Sequence, residues 1–191
     1  MPVLTLIADR LSLLAVGCAV LVACSGDRTA TQFRGVALPT PLAKPSITLT
    51  DLNGQPYDFA GATRDKVALL FFGYTHCPDV CPLTMATLGE AVRLLGDDGE
   101  RVQGVFVTVD PRHDKPKALT QYVRSFHEGF LALYGNKAET ARTAGEFRVE
   151  PGEHHSTPVF LIDPGGRLRL VARPETSADS IAHDIRALLR G

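Results

Sequence analysis

No stretch of this 191-residue chain is a block of like charge, and none is an apolar run long enough to cross a bilayer. Lys and Arg together number 20 and Asp and Glu 21, a formal net charge of −1. That balance leaves no electrostatic footprint for nucleic acid and no acidic or basic tail. There is no internal repeat and no low-complexity tract, so one ordinary globular domain with some extra sequence is expected. Cysteine is scarce: four residues in the whole chain, few enough that each can be placed.

The longest apolar run is "LSLLAVGCAVLVAC", Leu11 to Cys24, behind Arg10 and Asp9. Its apolar part of about 13 residues suits a signal-peptide core and falls short of the ~20 that a membrane span needs. The run ends in "LVAC", which resembles a bacterial lipobox and implies that Cys24 becomes the lipidated first residue of the mature protein. An uncleaved anchor or a buried helix is the competing reading. On the lipoprotein reading, residues 1–23 are the signal peptide and Cys18 leaves with them. Residues 24–45, polar and then Pro-rich, are expected to be a flexible tether, and 46–191 the folded domain. Only Cys77 and Cys81 remain in that domain. Export would place them at an extracytoplasmic, periplasm-facing membrane surface, where a disulfide can persist.

Within the domain, Ser46–Phe59 alternates around Asn53-Gly54 and predicts a hairpin. Lys66–Tyr74, "KVALLFFGY", predicts a central strand buried on both faces. Leu83–Gly96 predicts a helix with Leu88, Ala91, Val92 and Leu95 on one face and Gly96 as its stop. Arg101–Asp110 predicts another buried strand. Asp114–Phe126 predicts a helix capped by Asp114, with Pro116 in its first turn. A short strand at 130–135, a helix at 137–147, a hairpin over 158–172 and a closing helix over 177–190 follow. Alternating strands and helices give an α/β sheet flanked by helices, with an N-terminal β-hairpin extension. Ligands of such sheets sit beyond the carboxyl ends of the strands, which is where "THCPDVCP" lies.

Thiols at a helix N-terminus have lowered pKa values, which serves a nucleophile and a metal ligand equally. If 77–81 is helical, an i,i+4 pair has its Cβ atoms about 5–6 Å apart, wider than the ~3.5–4.5 Å of a disulfide. That spacing suits one soft metal ion. Thiol–disulfide exchange stays open, and a structural staple is disfavoured because so small a loop gains little. A two-thiolate site needs a third ligand, and the histidines are His76, His113, His127, His154, His155 and His183. His127 and His183 read as surface residues, His113 as part of the loop after a strand, and His76 as solvent-facing. His154 and His155 lie just ahead of a strand, in a loop able to approach the Cys loop. Asp79 is either a helix-start cap or a residue that orients the site.

The segments "FFGYTHCPDVCPLTM", "VTVDPRHDKP", "LTQYVRSFHEGFLALYG" and "HHSTPVFLIDPGGRL" together resemble the Sco/SenC family of membrane-tethered copper proteins, from about Ser46 to the C-terminus. The resemblance implies a thioredoxin-like fold and copper ligation by Cys77, Cys81 and His155. It also implies delivery of copper to the CuA centre of cytochrome c oxidase, with the copper-bearing oxidase subunit or another copper chaperone as partner. Two positions depart from the pattern. His154 stands where the family commonly has Asp, so either of the two adjacent histidines can be the ligand. His113 stands where an Arg is expected. Thr157-Pro158 looks like the thioredoxin proline segment that faces the active cysteines, or is simply a proline opening a strand. The enzymatic alternative is a thiol–disulfide oxidoreductase in which Cys77 and Cys81 are the catalytic redox pair, reducing the cysteines of a copper-site partner. Copper, Cu(I) or Cu(II), is chemically apt because thiolate suits the first and imidazole also suits the second. Zinc accepts the same ligands.

Overall fold

The computed structural model describes residues 33–43, 47–149 and 158–191. A six-stranded sheet in the order β1-β8-β7-β4-β5-β6 forms its centre. Its strands are β1 (Val36–Ala43), β4 (Val67–Gly73), β5 (Val102–Thr108), β6 (Leu131–Leu133), β7 (Val159–Ile162) and β8 (Arg167–Ala172). β4 pairs parallel with β5, and β5 with β6, while the β4–β7, β7–β8 and β8–β1 pairs are antiparallel. A separate hairpin, β2 (Thr48–Thr50) and β3 (Pro56–Asp58), leads into the short helix α1 (Phe59–Ala62). The remaining helices are α2 (Val80–Arg93), α3 (Pro116–Phe126), α4 (Lys137–Glu146) and α5 (Ala178–Arg190), with a 3-10 segment at Gly96–Arg101.

β4 shows why its sequence is continuously apolar. All seven of its residues are buried, and successive side chains enter two different cores. Val67, Leu69 and Phe71 face α2, α3 and α5 through Met85, Leu88, Leu119, Val123 and Ile185. Ala68, Leu70 and Phe72 face the hairpin and α4 through Leu49, Phe59, Ala144 and Phe147. The predicted α/β architecture and the hairpin extension are therefore both present. Among the described residues, no helix is long and apolar enough to cross a membrane.

Three expectations need correction. Residues 24–45 do not all belong to a tether, since Val36–Ala43 pairs with β8 as an edge strand. Its prolines Pro39 and Pro41 disguise it in sequence, and an edge strand tolerates them because one side needs no ladder hydrogen bonds. The tether and signal segment up to residue 32 lie outside the described residues. Second, α2 begins at Val80 rather than Leu83, which brings Cys81 into its first turn while leaving Cys77 ahead of it. Third, Asp114 does not cap α3. Lys115 holds that position without a side-chain bond, and Pro116 opens the helix as expected.

The approach to β1 is fastened by one carboxylate. Asp184, buried on α5, accepts the backbone N–H groups of Arg34 and Gly35, each at 2.7 Å. Removing it orphans two donors. Asp184→Ala is expected to cost about 2–4 kcal/mol in urea unfolding, with Asp184→Asn, which keeps one acceptor, losing roughly half as much.

Candidate metal and thiol site

Because β4 and β5 are parallel, their carboxyl ends emerge side by side, and Val109 N–H bonds the Gly73 carbonyl at 2.8 Å to extend the pairing. The Cys loop after β4 therefore meets the 110–115 loop after β5. Asp114 joins the two. Its fully buried carboxylate accepts from Thr75 N–H at 3.1 Å, the Thr75 hydroxyl at 2.5 Å and the Thr108 hydroxyl at 2.6 Å. A buried carboxylate is tolerable only when its lone pairs are so occupied. It sets the chain just ahead of Cys77 against the end of β5.

Cys77 and Cys81 are both buried and both free thiols. Cys81 packs in the first turn of α2 against the backbone of Gly73, where an added Cβ would lie 2.9 Å from the sulfur and 2.9 Å from the Phe106 ring. That close approach is why β4 ends in glycine. At the helix start, Asp79 occupies the cap position but its side chain makes no capping bond. Cys77 Sγ does that work instead, accepting the Cys81 N–H at 3.4 Å. Asp79 is thus a cap by position only.

The two thiols differ in acidity. At Cys77 burial pushes the pKa up, but N–H groups of Asp79 and Cys81, the Cys81 thiol and Tyr74 all favour the thiolate, and the balance falls below the ordinary value. At Cys81 burial dominates. Cys77 and the charge of Asp114 add to it against a hydrogen bond from the Tyr74 backbone, so the thiol is pushed up to about 12. The pair is one thiol more acidic than an ordinary cysteine and one held protonated by burial.

Of the histidines, His76 is about half exposed and does more than face solvent. Its ring lies between Asp110, at 3.4 Å, and Asp114, at 3.8 Å, and edges against Tyr74. His113 stands 2.7 Å from Asp110. Burial pushes the Asp110 carboxyl up, yet the hydrogen bond and charge of His113, with His76 adding to them, outweigh it and hold the group below its ordinary value. His127 ends α3, and His183 lies on α5, both half-buried rather than surface-exposed. His154, His155 and Thr157 lie outside the described residues. β7, which follows them, starts at the end of the sheet from which the Cys loop leaves, because it runs antiparallel to β4 with Phe160 opposite Leu70 and Ile162 opposite Ala68.

Sequence reasoning missed Tyr122. Burial drives its hydroxyl pKa upward, and the charges of Cys81, Cys77 and Asp114 push the same way. The buried hydroxyl has no hydrogen-bond partner. The helical period was the available signal: Leu119, Tyr122, Val123 and Phe126 share the inward face of α3.

The thiol asymmetry predicts selective alkylation. With iodoacetamide near pH ~7, below the ~8.5 of a free cysteine, Cys77 should label first and Cys81 stay protected until the chain opens, as peptide mass spectrometry would show. Equal labelling rates would contradict the asymmetry.

The chain has relatives among known proteins. The SCO1/SenC family profile matches residues 39–190. A Stutzerimonas stutzeri protein, provisionally named for copper binding, is 33% identical over 95% of this chain and 94% of its own length. Other curated relatives are longer; the chain spans 59% of the mouse mitochondrial SCO2 homolog, at 34% identity over 73% of this chain. Among solved structures, apo Sco1 from Thermus thermophilus superposes with a TM-score of 0.70 at 33% identity, covering 82% of this chain and 96% of that one. The copper-bound ScoI of Bradyrhizobium japonicum gives 0.65 at 31%, covering 76% and 98%.

Proposed function

The chain belongs to the SCO1/SenC family, and on that premise we propose that it carries copper as cargo, bound by Cys77, Cys81 and His155, and delivers it during assembly of the CuA centre of cytochrome c oxidase. The observation that carries this reading is the pair of buried, free and unequal thiols at the start of α2. The donor set fits: thiolates suit Cu(I), and an imidazole extends the site to Cu(II). Cys77 needs little to become a ligand, whereas Cys81 gives up its proton only when a cation replaces it. That exchange makes binding sensitive to pH and to the recipient's own thiolates. His155 precedes β7, which begins at the same end of the sheet, and His154 is the alternative ligand. Lipidation at Cys24 would hold the domain at an extracytoplasmic membrane surface, next to a membrane-bound recipient. Several acyl chains are needed for stable anchoring.

A second reading rests on the same thiols. A reactive Cys77 beside a protonated, buried Cys81 is also the arrangement of a dithiol reductant. The Cys77 thiolate attacks a partner disulfide and forms a mixed disulfide. Cys81, losing its proton, then attacks Cys77, leaving the partner as a dithiol and this pair oxidised. Such a reaction has no use for His155.

Titration of a soluble form lacking residues 1–28 with Cu(I) and Cu(II) separates the two. One copper should bind. Cys77→Ala, Cys81→Ala and His155→Ala should each weaken it by more than the ~10–100-fold that loss of an outer-shell partner costs. If copper binds no better than to a generic dithiol and removing His154 and His155 together leaves affinity unchanged, while the thiols still reduce disulfides, the protein is a thioredoxin-like reductase.

A further inference from the structure

A second group of metal-ligating side chains stands beside the thiols without involving them. His76, Asp110 and His113 offer donor atoms that all lie within 4.8 Å of one another. Both imidazoles are aimed at the same carboxylate oxygen, Asp110 Oδ2, with His76 Nε2 at 3.4 Å and His113 Nδ1 at 2.7 Å. The two rings meet edge to face with centroids 5.6 Å apart. Neighbouring donors on metal bonds of ~2.0–2.2 Å sit roughly 2.8–3.6 Å apart, from square-planar to tetrahedral geometry. The His76–Asp110 separation already matches, and a small rotation of the exposed His113 brings the third donor out to that distance.

The group is held from behind. His76 Nδ1 faces the buried Asp114 carboxylate at 3.8 Å, so its outer nitrogen Nε2 is the one presented to Asp110. A metal-bound histidine usually donates its other ring N–H to a carboxylate; Asp114 lies on that side of His76, at an ion-pair distance rather than a hydrogen-bond one. Asp114 is itself locked by Thr75 and Thr108. The Tyr74 ring meets that of His76 edge to face, with centroids 4.7 Å apart. On the other side, the backbone turn from His113 N–H to the Asp110 carbonyl, 3.2 Å, ties the remaining two donors together.

We propose that His76, Asp110 and His113 form a second metal site, independent of the thiol site, that takes a divalent first-row transition ion. Two imidazoles and one carboxylate select a borderline cation over a soft monovalent one, and among divalent ions Cu(II) binds such ligands most tightly. Solvent completes the coordination, because His76 and His113 are exposed. The chain then holds a thiol site suited to Cu(I) and an imidazole–carboxylate site suited to Cu(II) on neighbouring loops. This proposal does not rest on the copper-delivery reading, since none of its three donors is a thiol.

The test uses the full chain carrying Cys77→Ala and Cys81→Ala, titrated with Cu(II) against a weak competitor such as glycine and read by electron paramagnetic resonance. One Cu(II) should remain bound with nitrogen superhyperfine splitting. Adding His76→Ala or His113→Ala should weaken it at least tenfold, and adding His154→Ala and His155→Ala together should leave it unchanged. Binding no tighter in the double-cysteine variant than in its His76→Ala/His113→Ala derivative overturns the proposal, as does loss on removing His154 and His155 alone. Should the double-cysteine variant not fold, Zn(II) titration of the reduced unmodified chain decides. His113→Ala should bind one equivalent fewer than the unmodified chain, and equal stoichiometry refutes the site.

Discussion

The buried carboxylate of Asp114 is the constraint on which the site depends. It lies in the loop after β5, yet two of its three hydrogen bonds go to Thr75, in the loop after β4. Two parallel strands bring their carboxyl ends together without specifying how the loops beyond them are arranged. A charge that must be satisfied out of water does specify it, because each unmade bond would leave a desolvated acceptor. The same carboxylate faces His76 and adds to the forces that keep Cys81 and Tyr122 protonated. One residue thus arranges the Cys loop, the exposed imidazoles and the local electrostatics.

From that placement the inequality of the thiols follows. α2 starts late enough that Cys77 stays outside it and early enough that Cys81 falls within its first turn. The sulfur of Cys77 then receives helix N–H groups that a cap side chain would otherwise take, which stabilises negative charge on it. Cys81, pressed against Gly73 and the aromatic core, has only a Tyr74 backbone hydrogen bond to set against its burial. The proposed copper loading and the alternative thiol exchange would both begin from this state and diverge only in what the thiolates meet.

Much of this was legible in the residues. The apolar run at 67–73, the Asn53-Gly54 turn and the CPDVCP loop each carry a local signal, and the alternation of strands with helices gave the layer order. What was not legible needed contacts distant in sequence. Asp114 reads as a helix cap because it precedes Pro116; only its meeting with Thr75, 39 residues away, reveals its role. Pro39 and Pro41 concealed β1, whose strand character comes from pairing with β8 at the far end of the chain. His76 and His113 looked like unrelated loop histidines until the parallel pairing of β4 and β5 put them on one carboxylate. Tyr122 was hidden among the apolar residues of a helix face.

The central claim, that Asp114 holds the thiol loop in the form proposed to bind copper, is tested most directly by the Cu(I) affinity of Asp114→Asn, a substitution that keeps the volume and removes the charge. With both thiols and His155 intact, the account predicts affinity about tenfold weaker, as for loss of an outer-shell support. An affinity equal to that of the unmodified chain would contradict it.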